Sequence, residues 1–139
     1  MKYLPQAPPF VMVDELTETN EKETITCFKI REGHLFVENR KFTEPGLIEN
    51  LAQTAAAGEG FKAMEANDTP PVGFIGQIKN LEIYRLPEVG EKIITTVACR
   101  HQIMNVRVME GFIECDNRKI AKAEFKVFLQ NESDSAVHH

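Results

Sequence analysis

The clearest pattern lies near the C-terminal end. From Ile120 to Gln130, Ala121, Ala123, Phe125, Val127 and Leu129 alternate with Lys122, Glu124, Lys126 and Gln130. A period of two sends one set to a buried face and the other to water, so the segment reads as a half-buried strand. Val72–Arg85, Lys92–Ile103 and Val106–Cys115 also read as long strands, and Asp116-Asn117-Arg118-Lys119 turns the last of them into Ile120–Gln130. The alternation breaks at Glu110-Gly111, which predicts a β-bulge there. Towards the N-terminus, Val11–Leu16 and Glu23–Ile30 read as strands joined by the polar turn Thr17–Lys22. Arg31–Pro45 is irregular, with scattered aromatic residues.

One segment reads as a long helix. It runs from Leu47 to Glu65 and is stopped by Asn67-Asp68-Thr69-Pro70-Pro71. At 1.5 Å per residue it is roughly 28 Å long. Spacing of 3.6 residues predicts an inward stripe of Ile48, Leu51, Ala52, Ala55 and Gly58. Glu49, Gln53, Ala56 and Gly60 fall on an adjoining face, where very small residues leave room for another chain or a slender ligand arm. Two strands, one helix and then several long strands make an α+β domain with the helix packed on one face of an antiparallel sheet.

Composition narrows the function. A chain of 139 residues suits a single core, here expected over residues 1–130, with a frayed polar tail over 131–139 that includes His138-His139. A net charge of -5 argues against a nucleic-acid binder and mildly against a membrane-surface protein. No stretch approaches the roughly 20 apolar residues of a membrane span, and Met1-Lys2-Tyr3-Leu4-Pro5 does not open a secretory signal. Cys27, Cys99 and Cys115 are odd in number and lack metal-type spacing, so they read as small reduced core residues. The cytoplasm is the expected compartment, and no metal site is expected.

Three segments in order resemble the β-hydroxyacyl-(acyl-carrier-protein) dehydratases. Leu4-Pro5-Gln6-Ala7-Pro8-Pro9-Phe10-Val11-Met12-Val13-Asp14 is similar to the family's opening L-P-x-x-x-P-F-x-x-V-D. Pro45-Gly46, followed by Glu49-Asn50-Leu51-Ala52-Gln53, resembles its P-G…E-x-x-A-Q helix. Lys79-Asn80-Leu81-Glu82-Ile83-Tyr84, with Pro87 and Gly90, resembles a later strand and turn. The resemblance implies a hotdog fold, in which a curved antiparallel sheet wraps a long central helix. It also implies a dimer, as homodimer or as heterodimer with a related hotdog subunit. The substrate would be an acyl group on the phosphopantetheine of an acyl carrier protein or on CoA, with no bound cofactor.

Dehydration of a 3-hydroxyacyl thioester needs a base for the proton beside the carbonyl and an acid for the departing hydroxyl. The family's helix glutamate corresponds to Glu49. Backbone N–H groups near Gly46 and Leu47, at the positive end of the helix, are expected to receive charge growing on the thioester oxygen. Phe36, Val37, Gln53, Phe74, Ile75 and Gly76 are the expected substrate-binding residues, with Gln53 read first as a structural or interface amide. The family's G-H-F-P loop is missing. Counting back from Pro45-Gly46 puts Val37 in the histidine slot; the nearby Gly33-His34 then reads as surface loop, with His34 as base the second reading. His101 reads as an ordinary strand residue. Arg40, Lys41, Lys79 and Arg85 could meet an acidic carrier protein. Besides a dehydratase, the pattern admits a thioesterase in which Glu49 activates water, and a non-catalytic partner subunit of an active dehydratase.

Overall fold

The computed structural model describes residues 11–69 and 72–130. The opening Leu4–Phe10, the stop at Pro70-Pro71 and the tail from Asn131 lie outside the described residues. The elements are β1 (Glu15–Thr19), β2 (Glu23–Lys29), β3 (Val37–Glu38), β4 (Lys41–Phe42), α1 (Glu44–Glu65), β5 (Val72–Ile83), β6 (Lys92–Ile103), β7 (Val106–Cys115) and β8 (Arg118–Gln130). Six of the strands form one antiparallel sheet in the order β1-β2-β6-β7-β8-β5, and α1 packs against it. That is the α+β arrangement the sequence implies.

The core lies where the alternating strands meet the helix. Ile93, Val97, Met109, Ile113, Ala121, Ala123 and Phe125 project from β6, β7 and β8 onto Leu47 and Leu51 of α1. Glu110 and Gly111 pair in regular register with β6 and β8, so the expected bulge is not there. Gly111 has another reason to be small. A Cβ there would sit 2.7 Å from Leu51 Cδ2 and 3.1 Å from Val97 Cγ1, so the glycine admits the helix to the sheet. Register shifts occur instead in β6 between Cys99 and His101 and, between β7 and β8, at Ile113/Glu114. The edge strand β5 shifts twice against β8, around Gln77 and Asn80, whose φ angles are +48° and +53°.

Several boundaries differ from the sequence reading. β1 starts at Glu15, and Val11–Asp14 is not a strand, because the Met12 backbone is occupied by side chains of α1. The Asn20 side chain then makes the turn by accepting from Lys22 and Glu23 N–H at 2.8 and 3.0 Å. Part of the irregular stretch is a small hairpin, β3–β4. It turns at Asn39 and Arg40, both with positive φ, the pair of conformations that matches strand twist. The helix begins at Glu44, with Pro45 in its first turn, where a missing N–H costs nothing.

The inward face of α1 is also corrected. Leu51 and Gly58 are buried, but Ile48, Ala52 and Ala55 are only half-buried; Leu47, Asn50, Gln53, Thr54 and Ala57 take the interior. The buried polar residues are admitted because each finds a partner. Thr95 Oγ1 donates to Asn50 Oδ1 at 2.5 Å, Thr54 donates to the Asn50 carbonyl at 2.8 Å, and Thr26 Oγ1 lies 2.7 Å from Thr54 Oγ1. Farther along, Glu59 pairs with Arg107 of β7.

All three cysteines are free; Cys27 and Cys115 are buried and Cys99 half-buried, as expected of core thiols. Cys115 Sγ donates to Glu91 Oε2 at 3.1 Å, and burial, with Glu91 next, pushes its thiol up. Arg85 grips the same carboxylate through both oxygens, at 2.8 and 3.2 Å. Arg85 foremost, then the Glu88 N–H, hold the Glu91 carboxyl down from 4.5 to about 2. Because the folded value is the lower one, the stabilisation is complete above about pH 4.5 and is lost as pH falls towards 2. Glu91→Gln is therefore expected to cost about 1 kcal/mol at pH 7. The gap from wild type should close between pH 4.5 and 2 in urea titrations; a gap that stays constant across that range contradicts the assignment.

Candidate active site

The start of α1 is built around a close approach. A Cβ on Gly46 would lie 2.7 Å from the Phe42 ring and 3.0 Å from Phe36 Cβ, so only glycine lets the first turn settle on these aromatics. Thr43, the N-cap, does not cap the helix; its hydroxyl donates to Phe36 O at 2.8 Å and ties the turn to the loop before it. Leu47 N–H closes the first intrahelical bond on Thr43 O at 3.1 Å. Leu47 is therefore no longer an available donor. Gly46, one residue earlier, sits where helical acceptors run out and the dipole is positive.

Glu49 stands one turn farther on and is half-buried. Gln53, one turn beyond, is 1% exposed and donates Nε2–H to Glu49 Oε1 at 3.3 Å. Its Oε1 accepts Met12 N–H at 2.7 Å. Asn50 Nδ2 donates to Met12 O, also at 2.7 Å. Two helix amides thus hold both polar groups of one backbone residue. Met12 and Asn50 were missed by the sequence reading. The visible signal was the polar repeat Asn50, Gln53, Thr54 inside an otherwise small and apolar helix.

His34 is not a surface-loop residue. Its ring packs among Phe28, Phe42 and Phe36 at centroid distances of 5.6, 5.8 and 6.3 Å. Its Nδ1 accepts Phe36 N–H at 3.1 Å, which assigns the proton of a neutral ring to Nε2. That Nε2 is buried and has no hydrogen-bond partner among the described residues. Val37, in the histidine slot, is half-buried on β3. His101 is exposed on β6, in keeping with an ordinary strand residue.

The substrate-binding candidates divide into two places. Phe36 packs on the start of α1, Val37 lies on β3 and Gln53 sits in the third turn of the helix, whereas Phe74, Ile75 and Gly76 lie on the edge strand β5, opposite Phe128, Val127 and Lys126. The Phe74 side chain is 55% exposed, so in the single chain it encloses nothing. Among the basic candidates, Arg40 pairs with Glu32 and Arg85 with Glu91, while Lys41 and Lys79 are exposed. Glu91, Cys115 and Asp116 bring possible metal ligands within 4.8 Å of one another, but Arg85 already occupies the carboxylate.

Residues 1–138 match the family model of the ApeP-like proteins, described as ApeP dehydratase. The chain belongs to the ApeP-like dehydratase family. A curated relative of this ApeP-like chain is the 3-hydroxyacyl-[acyl-carrier-protein] dehydratase FabZ of Shewanella sp. (strain MR-4), 27% identical over 135 residues that cover 89% of this chain and 85% of the relative. Among solved structures, the dehydratase heterocomplex ApeI:P from Xenorhabdus doucetiae superposes with a TM-score of 0.85 at 16% identity, covering 97% and 93% of the two chains. A hypothetical thioesterase from Streptococcus pneumoniae, solved with coenzyme A, gives 0.62 at 14% identity, covering 84% and 85%. These likenesses establish the hotdog fold for the ApeP-like chain. No helix among the described residues is long and apolar enough to cross a membrane.

Proposed function

We propose that this chain is a dehydratase subunit acting on 3-hydroxyacyl thioesters carried on the phosphopantetheine of an acyl carrier protein, and that it works beside a second, related hotdog chain. The observation that carries this reading is Glu49, a half-buried carboxylate one turn into the central helix and hydrogen-bonded by a buried amide. In the reaction a proton leaves the carbon next to the thioester carbonyl, the hydroxyl leaves the next carbon as water, and a double bond forms between them. Glu49 serves the hydroxyl, and the N–H groups at the start of α1, Gly46 first, receive the charge that grows on the thioester oxygen.

The second chain is needed for the other proton. Val37 cannot act as a base, and the Nδ1 of His34 is spent on Phe36 N–H. The matched ApeI:P structure is itself a dehydratase heterocomplex, which supports a second hotdog chain as partner. Three free cysteines fit a reducing cytoplasm. The test is to mix the purified chain with candidate hotdog partners and a hydroxyacyl carrier thioester, then follow enoyl absorbance in the ultraviolet. Turnover by the mixture should exceed that of either component by at least about a hundredfold, the lower end of the range for a missing acid–base group. Equal rates with and without a partner would remove the two-chain reading. No enoyl product under any pairing, with free thiol released instead, would replace dehydration by thioester hydrolysis.

A further inference from the structure

The hydrogen bonds around Met12 form a continuous buried chain. It starts at Thr95 on β6, passes through Asn50 and the Met12 backbone, crosses to Gln53 and ends on Glu49. Thr95 and Asn50 are 0% exposed, and Met12 and Gln53 are 1% exposed. Donor and acceptor chemistry fixes its direction. The Met12 carbonyl can only accept, so Asn50 must present Nδ2 to it and Oδ1 to the Thr95 hydroxyl. The Met12 N–H can only donate, so Gln53 must present Oε1 to it. Nε2 is thereby turned towards Glu49. A flipped Gln53 amide would set two N–H groups against each other in a buried site, which is costly.

We propose that Gln53 is a positioning residue for Glu49, and that Met12 and Asn50 lock the amide in the orientation this requires. The E-x-x-A-Q spacing then has a physical meaning, since residues four apart on a helix are neighbours and the amide reaches the carboxylate one turn back. The opening segment acquires a role as well: through Met12 it sets the aim of a side chain on a different element. The inference rests on the reading of Glu49 as the acid–base group, but its geometry can be tested without turnover.

Gln53→Met keeps the side-chain length and makes neither bond. Three-bond couplings of the Glu49 side chain should report one rotamer in the wild type and averaged rotamers in the variant, and exchange of the Met12 amide should quicken by about tenfold or more. With the partner present, kcat should fall about tenfold while KM changes less than about twofold, the signature of an interaction that acts on the reaction rather than on binding. Added to Glu49→Ala, Gln53→Met should bring no further loss, because it acts through the side chain already removed. Should Gln53→Met fail to fold, Thr95→Val, a near-isosteric change at the far end of the chain, should still average the Glu49 couplings. Couplings that stay fixed in the variant overturn the proposal whatever the turnover; so does an undiminished loss in the Glu49→Ala background. A wild-type chain without dehydration alongside any partner, yet with Glu49 couplings that depend on Gln53, would remove the proposed function and leave the positioning intact.

Discussion

Glu49→Gln is expected to lower dehydration of a hydroxyacyl carrier thioester by about 10²–10⁴-fold, the range a positioned acid–base group supplies. The substitution keeps the size of the side chain and removes its proton chemistry. Glu49 is half-buried at the helix surface, and its described hydrogen bond is the one from Gln53, so the fold should be nearly indifferent to the change. Thermal unfolding is expected to shift little, by an amount corresponding to less than about 1 kcal/mol. The assay is enoyl formation with the partner chain present. A variant that retains more than a tenth of the wild-type rate would place the acid–base group elsewhere and leave this carboxylate a helix-terminal charge favoured by the dipole alone. If thiol release from acyl-CoA is what disappears, with dehydration absent throughout, Glu49 is instead the residue that activates water.

The second large effect concerns stability. Gly58 of α1 lies against Thr24 of β2, and a Cβ at this position would press on the Thr24 hydroxyl, with Cβ and Cγ2 at 3.2 and 3.3 Å. Thr24 cannot swing aside easily. It is β-branched, 6% exposed, and its Oγ1 lies 2.8 Å from Thr19 Oγ1 in a hydrogen bond. Replacing a mid-helix glycine normally gains up to about 1 kcal/mol of helix propensity. Here overpacking should win. Gly58→Leu is expected to cost about 3 kcal/mol, which for a chain of this size lowers the unfolding midpoint by about 10 °C. Calorimetry or circular dichroism would show it. A midpoint at or above that of the wild type would mean that helix and sheet have slack at this crossing.

Those two residues illustrate what could be read before the coordinates. Glu49 was legible because one-turn spacing to Ala52-Gln53 is a property of sequence, and the long strands were legible because alternation with period two survives any tertiary detail. The inner face of the helix was not. Hydrophobicity places Ile48 and Ala55 inside and gives Asn50 no inward place, yet Asn50 is completely buried, because Thr95 and Met12 satisfy it. Such a partner comes from residues 38 and 45 positions away and leaves no local trace. Gly111 misled for a similar reason. A glycine that breaks a strand's alternation suggests a bulge, whereas the requirement came from Leu51, packing across from another element. The start of β1 was displaced by the same clamp, since a backbone already bonded to helix side chains has nothing left to offer a ladder at that point. His34 was read outward because counting back from Pro45-Gly46 gave the histidine slot to Val37; three phenylalanines from β2, β4 and the loop itself draw the ring in.

The edge strand β5 has a consequence for assembly. Its ladder against β8 is interrupted between Gly76 and Lys79 and again between Lys79 and Glu82, where Gln77 and Asn80 turn through positive φ. A long, flat, apolar border would be an invitation to fibrous growth, and Phe74 and Ile78 are 55% and 39% exposed along this one. The two kinks divide the free row of amide and carbonyl groups into short runs that no straight strand can follow from end to end. A visitor must bring matching kinks of its own, which a random aggregating segment lacks. The sticky border is thereby open to a shaped mate and closed to the polymer.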